Sequence, residues 1–275
     1  MIEMTKEMTK EMTKMAELIE TIARIDIDFV QQVAREAGRR ALTLVDTMRP
    51  EFKADNSYVT DIDRSTEEFV RDRLAERYPD FGFLGEEFGR HGDPEAPLWA
   101  VDPIDGTTNL VFGIPFWCVS IGLIVGGEAV AGALYAPRTD EMFHGGLGQG
   151  GFCNGVRLAA QDRDHLHMED TLGFTSTAAK RLPVAKLPGR IRCVGSIALD
   201  IAYTARGSYC SLVGWHEGAY DMAAALCVAR EAGCHVEHLN GEPFDLGRIV
   251  QAGKSHAPFV IAPPKLAKLL QSELI

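Results

Sequence analysis

Val30, Val33, Ala34, Ala37, Ala41, Leu44 and Val45 recur at the i, i+3, i+4, i+7 spacing of one helix face, with Pro50 just beyond. The segment from Ala16 to Met48 therefore predicts a helix. The stretch RSTEEFVRDRLAERYP predicts a second, with Ser65 and Glu68 in the form of a capping box and Tyr78-Pro79 as the stop. The pattern then turns to short apolar runs: FGFL leads to Gly85-Glu86-Glu87, and LWAV leads to Asp102. FWCVSIGLIV joins EAVAGALYAP through Gly126-Gly127, a hairpin signal. TLGFT, IRCVG, SYCSLV and PFVIA predict further strands. Helices are predicted from Ser196 to Ala205, from Asp221 to Ala232 with Gly233 at its C′ position, and after Pro263-Pro264. Strands and helices alternate without the strict strand-helix-strand period of a doubly wound sheet, so the expected fold is an α+β, layered αβαβα sandwich with mixed sheets.

The opening EMTKEMTKEMTK repeats every four residues, so Met4, Met8 and Met12 drift around a helix and make a poor core face. Residues 1–14 are expected to be a flexible tail, followed by an α+β subdomain over 15–145 and an α/β subdomain over 146–275. A chain of 275 residues can bury a sizeable core. With 39 acidic against 28 basic residues and a net charge of −11, it carries no Lys/Arg run longer than a pair, which argues against a nucleic-acid partner and for a small one. The six cysteines form no CxxC pair and several lie in apolar runs, as free thiols do in a reducing cytoplasm. No run has the length of a membrane span, so the reading is a cytoplasmic protein with no membrane partner.

The chemistry concentrates in WAVDPIDGTTNL, where an apolar strand ends in Asp102 and Asp105. Neighbouring carboxylates repel unless a positive charge stands between them, and a metal ion is the obvious one. Asp63, Glu86 and Asp221 also fall where a regular element begins or ends, where a rigid scaffold can present ligands. These donors are hard oxygens, with no Cys/His zinc set, so magnesium is the matching cation. The Ile104 carbonyl can point to the same ion, and the backbone N–H groups of Gly106, Thr107 and Thr108 follow at once, suited to a phosphate oxygen. Taken alone, however, D-P-x-D-G is also an ordinary turn sequence. GLGQGG fits a dinucleotide fingerprint but is followed by a strand-and-turn pattern rather than a helix. His165, His167, Ser176 and Cys153 lack the neighbours that metal binding or nucleophilic catalysis requires.

YVTDID ending at Asp63, GEE beginning at Glu86, WAVDPIDGTTNL, and YDMAAALCVAREAG around Asp221 resemble, in order and spacing, the inositol monophosphatase family from about Lys53 to Phe244. The resemblance implies a lithium-sensitive hydrolase that cleaves a small phosphate monoester with roughly two or three Mg²⁺ ions. It implies Glu86, Asp102, the Ile104 carbonyl, Asp105 and Asp221 as metal ligands, and Asp63 with Thr107 orienting the attacking water, Glu86 binding the metal that carries it. No ligand position is lost, so a non-enzymatic binding module is disfavoured. Inositol-specific members place an acidic residue seven positions before the last metal aspartate, where this chain has Gly214. His216 and Glu217 follow, with Ser196, Ile197 and Asp105 as further candidate substrate contacts. Inositol monophosphate is the first expected substrate. Histidinol phosphate comes next, then bisphosphorylated and other sugar or nucleotide phosphates. A homodimer is expected, both from the resemblance and because so many apolar strands need cover.

Overall fold

The computed structural model describes residues 18–275, so the EMTK repeat and the expected tail lie outside the described residues. Residues 18–24 are helical, and α1 (Ile27–Leu44) begins at Asp26, whose side chain accepts the Phe29 N–H. The predicted stripe is buried from Val30 to Ala41, while Leu44 and Val45 fall outside it. A small hairpin of β1 (Pro50–Phe52) and β2 (Tyr58–Thr60) leads into α2 (Asp61–Arg77). The capping box of α2 is Thr60 with Asp63, not Ser65 with Glu68, which lie a turn inside the helix.

An eight-stranded sheet follows. Its strands are β3 (Gly82–Gly85), β4 (Gly89–His91), β5 (Leu98–Asp105), β6 (Cys118–Val125), β7 (Glu128–Ala136), β8 (Glu141–Gly146), β9 (Gly150–Cys153) and β10 (Val156–Arg157), in the order β10-β9-β8-β7-β6-β5-β3-β4. A short α3 (Thr107–Val111) sits between β5 and β6. GLGQGG is the hairpin end of β8 and start of β9, and no helix follows it. The sheet runs on to Arg157, so an expected boundary at 145/146 would cut through it; the two sheets part in the connection between residues 157 and 171.

The rest of the chain gives β11 (Thr171–Phe174), α4 (Ser176–Arg181), β12 (Arg190–Arg192), α5 (Ile197–Ala205), β13 (Ser211–Gly214), α6 (Ala219–Glu231), β14 (His235–His238), α7 (Leu246–Ala252), β15 (Phe259–Ala262) and α8 (Pro264–Leu274). Its five strands form a mixed sheet in the order β12-β11-β13-β15-β14.

Side-chain alternation sorts these elements into layers. One face of the first sheet, with Trp99, Val101, Ile121 and Ala133, packs on α1 and α2. The other face, with Ala100, Cys118 and Leu134, packs on α5 and α6, which also touch Leu212 and Ile261 of the second sheet. The far side of the second sheet is closed by α8. The order is α, β, α, β, α, as the pattern predicts. The middle helix α6 is alanine-rich and buried nearly all round because it lies between two sheets. It approaches so closely that a Cβ on Gly132 would stand 2.5 Å from the Ala224 Cα. β6 is thus covered on both faces within one chain, and its apolar sequence does not call for a second copy.

Candidate active site

The C-terminal ends of β3 and β5 and the N-terminal ends of α3, α5 and α6 open onto one cavity of ≈ 480 Å³. Its wall includes Glu86, Asp102, Asp105 and Asp221, together with Ile104 and the 106–108 turn. These four carboxylates come from three separated segments and face one cavity. Asp102 and Asp105 are buried, and Glu86 and Asp221 are half-buried.

Local structure explains each placement. The β5–β6 register slips between Asp102, opposite Ser120, and Asp105, opposite Cys118, so three residues on β5 are spanned by two on β6. This irregularity turns the strand end into the cavity. Asp102 Oδ1 accepts the Ile104 N–H at 2.9 Å. Gly106 takes φ +100°, and a Cβ there would lie 3.0 Å from the Phe116 carbonyl oxygen, so glycine is required where α3 begins. Asp105 Oδ2 accepts the Ala198 N–H at 2.7 Å and the Ser196 hydroxyl, which ties β5 to the start of α5. Asp221 Oδ2 accepts the Gly218 N–H at 2.6 Å and so caps its own helix.

Asp63 is fully buried and does not line the cavity, but it reaches it through Thr107. Its Oδ2 accepts the Thr60 N–H at 2.9 Å and the Thr60 hydroxyl, while Oδ1 lies 2.8 Å from Thr107 Oγ1. Thr107 Oγ1 is also 3.0 Å from the Ile104 carbonyl oxygen. With its single proton given to Asp63, the stronger acceptor, Thr107 keeps lone pairs free to accept a hydrogen bond from the cavity.

The electrostatics are those of a site built for cations. Burial, joined by repulsion from Glu86 and Asp105, holds Asp102 well above the usual carboxylate range. Burial pushes Glu86 up to about 8, with Lys53 opposing and Asp221 adding to it. Burial likewise raises Asp105 to about 7, against its bond from Ser196. A carboxylate cluster in this condition either holds protons or takes a cation. Its donors are all hard oxygens, which fit Mg²⁺. The carboxylates line the wall rather than close round one point: among the described residues no three Asp, Glu, His or Cys side chains form a finished cage.

Several contributors carried no motif signal. Lys53 Nζ bridges Glu86 at 2.7 Å and Glu87 at 2.6 Å. Burial alone would lower its ammonium, but the two glutamates hold it above its ordinary value. Glu67 of α2 accepts the N–H groups of Glu87 at 2.8 Å and Phe88 at 3.0 Å, and fixes the turn that carries Glu86. Gly85 is required beside it, since a Cβ there would fall 1.8 Å from the Glu67 Oε1. Ser176, which has no nucleophile signature in the sequence, is the first residue of α4 and lines the cavity. His165 and His167 are exposed and do not.

The expected substrate contacts divide. Ser196, Ile197 and Glu217 line the cavity, whereas Gly214 and His216 do not. His216 is exposed at φ +74°, and Gly214 is buried at the end of β13. A Cβ on Gly214 would stand 2.3 Å from the Phe259 ring, so position 214 has no room for the acidic side chain. Gly214→Glu is accordingly expected to overpack the core, at a cost of about 1–3 kcal/mol or more, without raising selectivity for inositol phosphates. Thermal melts and the ratio of kcat/KM between inositol 1-phosphate and histidinol phosphate check this. A stable variant with that ratio shifted toward inositol would refute it.

The inositol monophosphatase family model matches residues 12–272. An inositol-1-monophosphatase of Mesorhizobium japonicum is 35% identical over 242 residues, 82% of this chain and 90% of the relative. A fructose-1,6-bisphosphatase/inositol-1-monophosphatase of Aquifex aeolicus is 31% identical over 224 residues, 78% of this chain and 84% of the relative. Among solved structures, the Thermotoga maritima IMPase superposes with a TM-score of 0.79 at 26% identity, covering 89% of this chain and 94% of that one.

Proposed function

The chain belongs to the inositol monophosphatase family, and from that membership we propose that it is a Mg²⁺-dependent phosphatase of small phosphate monoesters, with inositol monophosphate as first substrate. The observation that carries this is the Asp63–Thr107 pair, 2.8 Å apart, beside a cavity whose wall includes the carboxylates of Glu86, Asp102, Asp105 and Asp221. Glu86, Asp102, the Ile104 carbonyl, Asp105 and Asp221 are the residues that would hold the metal. Magnesium, when bound there, supplies charge neutralisation at the phosphate and lowers the pKa of a water.

The chain's own residues do the rest. The first-turn amides of Thr107 and Thr108, which have no helical carbonyl to pair with, and that of Gly106 receive a phosphate oxygen. Thr107 Oγ1 accepts a hydrogen bond from the attacking water, because its own proton points to Asp63. As the water oxygen bonds to phosphorus and the ester P–O bond breaks, the water proton passes to Thr107 Oγ1 and the threonine proton to Asp63 Oδ1. Asp63 suits that task, since burial raises its pKa against its Thr60 and Thr107 bonds. The leaving alkoxide takes a proton from solvent, and no covalent intermediate forms.

Selectivity falls to Ser196, Ile197 and Glu217. The Glu217 carboxylate accepts the hydroxyls of a polyol, and it would equally pair with the ammonium of histidinol phosphate, the second reading. The expected setting is a cytoplasmic homodimer: the homodimer rests on the family resemblance, the compartment on the unpaired cysteine pattern of the sequence. No helix among the described residues is long and apolar enough to cross a membrane.

Phosphate release from inositol 1-phosphate and histidinol phosphate, with Mg²⁺ and with a chelator, tests the reading. Release is expected with Mg²⁺ and none with the chelator. Full turnover in chelator removes the metal from the account.

A further inference from the structure

Asp200 lines the same cavity, outside both the metal-holding set and the Asp63–Thr107 pair. It lies early in α5, three residues beyond Ile197 and four beyond the N-cap Ser196, so its side chain leans back toward the turn that carries them. The residue is 1% exposed. Among the described residues its carboxyl group makes a single hydrogen bond, a long one of 3.4 Å from the Val194 N–H to Oδ1. Asn109 holds the other side of the same residue, its Nδ2 donating to the Val194 carbonyl at 2.7 Å and to the Phe116 carbonyl at 2.6 Å. Val194 is thereby fixed, and with it the oxygen of Asp200 that faces it. The second oxygen, Oδ2, has no partner among the described residues, and the open space beside this buried side chain is the cavity.

A buried carboxyl oxygen left unpaired is costly, and a site keeps one where a ligand completes the bond. Burial pushes Asp200 up to about 8, against its bond from Val194 and with Asp105 adding to the rise. Near neutral pH the free oxygen therefore carries a proton, which makes it a donor as well as an acceptor. A neutral carboxyl offers no charge to an ammonium or a metal ion, and its match is a hydroxyl. Position 214, where spacing along the chain calls for an acidic side chain, has no room for one beside Phe259. Asp200 presents a carboxyl to the cavity from another element, α5, next to Ser196 and Ile197.

We propose that Asp200 bonds a ring hydroxyl of the substrate's alcohol and so selects polyol phosphates over monoesters that lack hydroxyls. This rests on the phosphatase reading and names a specificity-determining residue for it. A site built to bond a hydroxyl rejects the analogue without it, because its own buried polar group is then left unpaired.

Steady-state kinetics with inositol 1-phosphate and cyclohexyl phosphate, the same ring without its hydroxyls, test the proposal on the wild-type chain, Asp200→Ala and Asp200→Asn. Wild type is expected to prefer inositol 1-phosphate in kcat/KM by about tenfold or more, the scale of one buried hydrogen bond. Asp200→Ala should lower that preference by about tenfold, with the loss in KM for inositol 1-phosphate rather than in kcat. Asp200→Asn keeps an oxygen for the Val194 N–H and turns an NH₂ donor to the cavity, as the protonated acid does, so it should retain most of the preference. An equal loss on both substrates in Asp200→Ala would show that the side chain merely holds the turn at Val194, and overturns the proposal. So does a wild-type enzyme that cleaves both esters alike, a result that needs no variant to fold. If wild type cleaves neither, the phosphatase reading itself falls, and this proposal with it.

Discussion

Thr107→Ala is expected to lower kcat by about 10²- to 10⁴-fold, the range over which a positioned proton-transfer group contributes. Thr107 Oγ1 joins the cavity to the buried Asp63, at 2.8 Å. Without it, a water has no oriented acceptor and no route for its proton to Asp63. The deletion also leaves Asp63 Oδ1 buried without that donor, which costs the fold about 1–3 kcal/mol. Two comparisons separate chemistry from stability. Thr107→Ser keeps the hydroxyl and is expected to retain most of kcat, and the Ala variant, assayed well below its melting temperature, should show the kcat loss with KM little changed. Near-wild-type turnover in Thr107→Ala would mean that another group orients the water.

The site was legible in the sequence where its chemistry is written in consecutive residues. WAVDPIDGTTNL contains the strand, the two carboxylates, the glycine that must take positive φ and the first turn of α3, so local rules suffice to read it. Lys53 and Glu67 were not legible, because each acts through a contact made only after folding: Glu67 reaches the 87–88 amides from twenty residues away. The capping box shows a different limit. Ser65 with Glu68 and Thr60 with Asp63 satisfy the same four-residue template, and the second wins because Asp63 is buried beneath Thr107, a tertiary fact. Gly214 was misjudged for a similar reason. Spacing along the chain placed it at the substrate, but β13 pairs with β15 in a register that sets Gly214 against Phe259, with the ring over its Cα. The layers, by contrast, were readable, since strands buried on both faces and an alanine-rich helix can be satisfied only in the middle of a sandwich.

Asp105→Asn is expected to cut kcat/KM by about 10³-fold, the scale of removing a preorganised electrostatic group, and to change the response of stability to metal. One carboxylate oxygen of Asp105 is already used by the fold, accepting from Ala198 N–H and the Ser196 hydroxyl. An asparagine oxygen can keep those bonds, which places the amide NH₂ where a cation ligand is needed. The fold therefore survives while the ligand is lost. In chelator the variant should melt no lower than wild type, and higher at neutral pH. The sign follows from the direction of the shift: burial raises Asp105 to about 7 in the folded chain, above the usual value of about 3.9 when unfolded. The unfolded chain thus ionises first, and wild type loses stability as pH rises from about 4 to about 7, a loss that asparagine escapes. The advantage should be absent near pH 4, grow through that window and stay constant above it. Adding Mg²⁺ should reverse the order, because an ion that binds only the folded wild type raises its melting temperature and leaves the variant nearly where it was. Thermal melts with chelator and with Mg²⁺ across pH 4–8, beside kcat/KM, measure all of this. Equal Mg²⁺ stabilisation of both proteins, or a near-wild-type rate in the variant, would show that Asp105 serves α5 alone and holds no metal.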